Sequence, residues 1–218
     1  MSRVILSLDV PMDRERLKEL SHHLAGVKVG WPLLLDLGPS KVSELTKGLG
    51  LKVILDLKLA DIDSTMVSIA SKLKSLGDGF IAHSFVGIDG ALDSLRRELK
   101  DRELYLVISM SHPGWSDEVY QYLLQVTKGV NPEGLVAPAT RQSVVRRARA
   151  DFPDKIIISP GVGAQGARPG SALCAGADFE IVGRSVYLSH SPLDSLLKIV
   201  KEQEVAINEC KGGMARET

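Results

Sequence analysis

Short runs of Val, Ile and Leu alternate with longer amphipathic stretches from one end of this chain to the other, and that alternation limits the fold more than any other feature. A short branched-apolar run followed by a helical stripe is one βα unit, and repeated units build a parallel sheet with helices on its outside. About eight units can be counted, with strands predicted at 4–9, 27–30, 52–58, 79–83, 104–110, 134–137, 156–159 and 179–183. Between them lie helices. Asp13 is placed to cap the first, with Leu17, Leu20 and Leu24 as its apolar stripe, and Leu92, Leu95 and Leu99 repeat the pattern later. No proline-rich or low-complexity linker divides the 218 residues, so residues 1–218 are expected to form one domain, with fraying from about residue 208. Eight units in one α/β domain point to a closed (β/α)8 TIM barrel. An open doubly wound sheet usually carries a glycine-rich turn after its first strand, whereas this strand runs into Leu8-Asp9-Val10-Pro11.

In the third predicted strand, alternation puts Leu51, Val53, Leu55 and Leu57 on one wholly apolar face. In a barrel that face packs against helices, so Lys52, Ile54, Asp56 and Lys58 turn inward. Lys52 falls at the bottom rim. Asp56 and Lys58 fall at the carboxyl end, where barrels build their active sites, and Asp61 follows three residues on. A lone Asp-x-Lys is most simply an ion pair. Here, however, Asp9 at the end of the first strand and Lys28 in the second converge on the same mouth. Unpaired buried charge is costly, so converging charges imply a mutually compensated network. His22 and His23 read as surface residues, His83 and His112 as packing or hydrogen-bonding residues. No two histidines have the spacing of a familiar zinc motif, so no metal is expected.

The seventh strand leads into Ser159-Pro160-Gly161-Val162-Gly163-Ala164-Gln165-Gly166-Ala167-Arg168-Pro169-Gly170, and the eighth into Val182-Gly183-Arg184-Ser185. Loops after strands 7 and 8 of such a barrel form a recurrent phosphate site. Their small residues expose backbone N–H groups, and an arginine can fork onto two phosphate oxygens. Gln165 and Arg184 are the natural side-chain partners, and the loop is long enough to act as a moving lid.

Lysine plus arginine (27) equals aspartate plus glutamate (27), which gives no long-range field for a nucleic acid or a membrane. The amino-terminal segment resembles neither a signal peptide nor a membrane span, and a cytoplasmic location is expected. Cys174 and Cys210 are too few for a disulfide framework and are read as inert thiols, in keeping with a reducing compartment.

Asp56-Leu57-Lys58-Leu59-Ala60-Asp61 matches the Asp-x-Lys-x-x-Asp motif of the orotidine monophosphate decarboxylase suprafamily. Leu8-Asp9, Lys28-Val29-Gly30, Met110-Ser111-His112-Pro113-Gly114, the 159–166 loop and Val182-Gly183-Arg184-Ser185 resemble the decarboxylases themselves, in their compact microbial and archaeal form. The resemblance runs from Asp9 to about Tyr187 and shows no fused phosphoribosyltransferase. It implies conversion of orotidine 5′-monophosphate to uridine 5′-monophosphate without cofactor or metal. It also implies a homodimer, with Lys28, Asp56, Lys58 and the other subunit's Asp61 as the charged network. Asp9 would hold the ribose and Thr65 would reach it across the interface. Ser111 would meet the pyrimidine, Ile62 and Pro160 would make apolar contacts near the base, and Gln165, Gly183 and Arg184 would hold the phosphate. Asp63 stands where many relatives have proline, and Arg168 is a further local difference. The alternatives are a magnesium-dependent sugar-phosphate decarboxylase or aldolase of the same suprafamily, and a non-catalytic phosphoribosyl-ligand-binding barrel.

Overall fold

The computed structural model describes residues 2–214, the side chains of 211–214 excepted. Among the described residues, eight parallel strands close a barrel in sequence order. They are β1 (Val4–Leu8), β2 (Gly26–Gly30), β3 (Lys52–Leu59), β4 (Gly79–His83), β5 (Glu103–Val107), β6 (Gly134–Val136), β7 (Ile156–Val162) and β8 (Phe179–Val182). Around them lie α1 (Arg14–Ser21), α2 (Trp31–Thr46), α3 (Asp63–Leu73), α4 (Asp93–Glu98), α5 (Tyr120–Val130), α6 (Gln142–Asp151), α7 (Ser171–Cys174), α8 (Arg184–Tyr187) and α9 (Pro192–Met214). The barrel expected from the sequence is the one observed.

Local chemistry accounts for the element ends. Asp13 accepts from the N–H groups of Glu15 and Arg16 and so starts α1, as expected. Gly38, at φ 74°, followed by Pro39, breaks α2 into two segments, because proline cannot donate to the preceding turn. The strands sort their side chains by period two. Val27, Val29, Val53, Leu55 and Leu57 face the helices in the larger core. Ile5, Ile54, Ile81, Tyr105, Val107, Val136, Ile158 and Ile181 fill the barrel interior. Lys52 lies at the lower rim, 2.6 Å from Glu103, which also accepts from the Tyr105 hydroxyl.

One expectation is overturned. Cys174 on α7 and Cys210 on α9 form a disulfide, with 6.0 Å between their Cα atoms. The long last helix folds back over α7 and brings together two cysteines 36 positions apart, which spacing along the chain does not reveal. The pairing removes cysteine usage as an argument for a reducing compartment. Helix α9 continues to Met214, past the position where fraying is expected, and 215–218 lie outside the described residues. No described helix is long and apolar enough to cross a membrane.

Candidate active site

Six of the eight strands add an inward residue beyond an apolar plug, and these residues, with Lys28 of β2, line a cavity of about 330 Å³ at the carboxyl-terminal mouth. Ser7 and Asp9 follow Ile5, Asp56 and Lys58 follow Ile54, and Ser109 and Ser111 follow Val107. Pro138 follows Val136, Pro160 follows Ile158, and Gly183 follows Ile181. A polar chamber therefore stands on a dry floor.

At one wall, Asp56 bridges two lysines. Lys28 Nζ lies 2.7 Å from Oδ2 and Lys58 Nζ 2.7 Å from Oδ1. Asp56 and Lys28 are each 8% exposed, so the pair is largely cut off from water. Burial works to raise the Asp56 carboxyl, but the two ammonium groups outweigh it and hold the carboxyl below its ordinary range. Within this chain the trio carries two positive charges and one negative, a surplus suited to an anionic ligand. The backbone of Lys58 is left-handed, at φ 44°, and the β3–β4 register shifts between Leu55 and Leu59. A non-glycine residue in that region is strained, and such strain gathers at functional sites.

His83 ends β4 beside this trio. Its side chain is buried, its ring centroid lies 4.7 Å from that of Phe85, and its Nδ1 has no hydrogen-bond partner. Burial, with the Lys58 charge adding to it, pulls its pKa down to about 4, so the imidazole is neutral across the physiological range. Asp9 accepts from the Ser7 hydroxyl at 3.2 Å and from the Tyr187 hydroxyl at 3.3 Å.

The opposite wall is the loop after β7. It folds on itself through Gly166 N–H to Gly163 O and Gly163 N–H to Ala167 O, at 2.8 and 2.9 Å. Gly163, at φ 75°, takes a conformation that favours glycine, and a Cβ there would stand 2.8 Å from Ser185 Oγ. Gln165 on this loop and Arg184 at the start of α8 both line the cavity.

The structure thus brings Asp9, Lys28, Asp56, Lys58, Ser111, Pro160, Gln165, Gly183 and Arg184 to one cavity. It does not bring Asp61, Ile62 or Thr65 there. Asp61 is exposed and accepts from the Ile62 N–H, Ile62 is 62% exposed, and Thr65 lies in the first turn of α3. The sequence reading missed Ser7, Ser109 and Tyr187. Period-two alternation from Asp9 and Ser111 would have found the two serines. Nothing near Tyr187 signals its bond to Asp9, 178 positions away. The reading also missed Asp117, which accepts from Ser109 Oγ at 2.8 Å, Trp115 Nε1 at 3.0 Å and Arg141 Nη1 at 2.7 Å, and so gathers the loop that carries Ser111.

Comparison with known proteins gives concordant matches. A family model described as Orotidine 5′-phosphate decarboxylase / HUMPS family matches residues 2–199. The orotidine 5′-phosphate decarboxylase of Sulfurisphaera tokodaii is 52% identical, the match covering 95% of this chain and 98% of that protein. That of Saccharolobus solfataricus is 46% identical, covering 99% and 98%. A crystal structure of the Metallosphaera sedula orotidine 5′-monophosphate decarboxylase superposes with a TM-score of 0.90 at 58% identity, covering 94% of this chain and 100% of the other. The Methanocaldococcus jannaschii enzyme complexed with the inhibitor BMP superposes with a TM-score of 0.85 at 31% identity, covering 93% and 99%.

Proposed function

The chain belongs to the orotidine 5′-phosphate decarboxylase / HUMPS family, and from that premise we propose that its cavity converts orotidine 5′-monophosphate to uridine 5′-monophosphate, a step of de novo pyrimidine biosynthesis. The observation that carries this reading is the Lys28–Asp56–Lys58 trio facing the Gln165 and Arg184 wall across one cavity. A phosphate at that wall, gripped by Gln165, Arg184 and the Gly183 backbone, directs the base toward the lysines. Asp9 holds the ribose, Ser111 meets the pyrimidine, and Pro160 packs near it.

Loss of carbon dioxide breaks a carbon–carbon bond and leaves its electron pair on a ring carbon that has no covalent sink. The charge must be met electrostatically. The Lys58 ammonium meets it and then donates the proton that replaces carbon dioxide. Asp56 beside the departing carboxylate adds repulsion of about 5 kcal/mol, for about 3.5 Å and an effective dielectric of about 20. Full relief of that repulsion is worth about three to four decades in rate. The remainder rests on the prepositioned lysine and on phosphate contacts that order the site. No cofactor or metal has a part in this scheme.

The trio lacks a second carboxylate, and the exposed β3–α3 turn supplies the reason for proposing a homodimer. Asp61 of the partner subunit completes the alternation of charge, and the partner subunit's Thr65 reaches the ribose. Ile62 lies on the same turn, and Trp31, Leu35 and Phe85 are exposed on the neighbouring βα units, an apolar surface suited to a second copy. Mixing inactive Lys58→Ala and Asp61→Ala proteins tests this: restored activity supports a shared site, and none opposes it. The cytoplasmic setting proposed here has to accommodate the disulfide, a bond that intracellular proteins form rarely outside hyperthermophiles.

An ultraviolet assay of orotidine 5′-monophosphate turnover, with and without EDTA, tests the reaction. Turnover indifferent to EDTA is expected. Dependence on magnesium, or turnover only of a sugar phosphate, would point to the magnesium-using members of the suprafamily.

A further inference from the structure

Gln165 rides on an exposed loop whose Gly161, Gly163, Gly166 and Gly170 all have positive φ. Such a segment presents a side chain at a fixed place only if both its ends are held. Its first end is β7, paired to β8 at Val162 and Val182. Its second end is Gly170, whose N–H donates to Glu180 Oε2 at 2.8 Å, while the Ala172 N–H donates to Oε1 at 2.9 Å.

Glu180 sits on β8, three positions before Gly183, and its side chain turns outward from the barrel, fully buried. Gln203 Nε2 donates to the same Oε2 at 2.8 Å from α9, and Gln203 is itself buried. One carboxylate thus joins the far end of the Gln165 loop to the strand that delivers Gly183 and Arg184, and the last helix to both. Helix α9 also packs directly on the loop end: a Cβ at Gly170 would stand 2.4 Å from Ala206 Cβ. The disulfide from Cys174 to Cys210 ties α7 to the same helix.

Space between a sheet and its helices is filled at least cost by an apolar side chain, since a buried carboxylate must be desolvated. What a carboxylate adds is direction, because it fixes two N–H groups of the loop end at once. We propose that Glu180, braced by Gln203, is a positioning residue that sets the phosphate end of the cavity from outside the barrel. It touches no ligand. Its effect is confined to the affinity contributed by the phosphate, because the lysine wall hangs from β2 and β3. The inference rests on the phosphate reading of the Gln165 and Arg184 wall.

The test compares uridine 5′-monophosphate with uridine, measuring the dissociation constant of each for the full-length protein. In Glu180→Gln the shape is kept, but an amide NH2 faces N–H donors. Loss of a hydrogen bond to a charged group predicts that affinity for the phosphorylated ligand falls about tenfold or more while that for uridine stays the same. Gln203→Leu leaves the barrel strands untouched and is expected to give a smaller loss of the same kind, so it carries the test if Glu180→Gln does not fold. An equal loss for both ligands, or no loss for either, overturns the proposal. If the unaltered protein binds uridine 5′-monophosphate no better than uridine, the phosphate reading itself is wrong and the inference falls with it.

Discussion

Lys58 and Asp56 lie two positions apart on one strand, and the left-handed backbone of Lys58 leaves its Nζ 2.7 Å from Asp56 Oδ1, over a carboxylate that also holds Lys28. The relationship sets the Lys58 ammonium in place before any ligand arrives. It also makes the carboxylate answerable for two lysines at once.

Lys58→Ala is expected to abolish decarboxylation while uridine 5′-monophosphate still binds, because Gln165, Gly183 and Arg184, proposed to hold the phosphate, line the cavity from β7 and β8 rather than β3. A loss of at least about a thousandfold in kcat is expected for removal of a prepositioned electrostatic group and proton donor. Steady-state kinetics beside a calorimetric titration would decide it. Turnover left intact would reject the assignment of the donor.

Asp56→Asn leaves Lys28 buried without its counter-charge, and breaking a buried pair from one side costs about 3–5 kcal/mol. Denaturant unfolding at neutral pH measures this. In the unaltered protein the folded carboxyl titrates below its ordinary 3.8. The contribution of the trio is therefore complete above that pH and is lost as pH falls through the lower, folded value. The variant is expected to lack this acid-side loss.

His83 is neutral in the folded protein down to about pH 4, whereas in the unfolded chain it takes up a proton near 6.5. As pH drops between those values the unfolded state binds a proton that the folded state refuses, so stability declines across that window. His83→Asn is expected to flatten the decline when unfolding free energy is followed from pH 7 to pH 4. An identical slope in the variant would assign the decline to other groups.

Breaking the Cys174–Cys210 bond releases a constraint between residues 36 positions apart. Chain-entropy arguments put its worth at about 4 kcal/mol for a loop of that size. The Cys210→Ser protein is expected to unfold several degrees lower than the oxidised parent, and treatment with a reductant is expected to lower the parent alone. Equal midpoints for the reduced and oxidised parent would show that the bond adds nothing to stability.

The barrel and much of its mouth were legible because both follow from short-range rules. Val27, Val29, Val53, Leu55 and Leu57 turn outward by simple alternation, which forces Lys28, Asp56 and Lys58 inward whatever the rest of the chain does. The glycine-rich run after β7 and the single Gly183 after β8 mark where Gln165 and Arg184 come to the mouth. Ile62, Thr65 and the role of Asp61 across an interface come from resemblance to a family, and no geometry within one chain connects these residues to the cavity.

What the chain determines by itself is therefore which face of each strand is wet and which end of the barrel carries charge, since a side chain's direction is set by its immediate neighbours. What tertiary structure alone decides is which distant groups meet. Tyr187 with Asp9, Glu180 with Gly170 and Gln203, and Cys174 with Cys210 all depend on closing the barrel and on where the last helix comes to lie. Those positions are fixed by packing summed over the whole molecule, and no local window of sequence contains it.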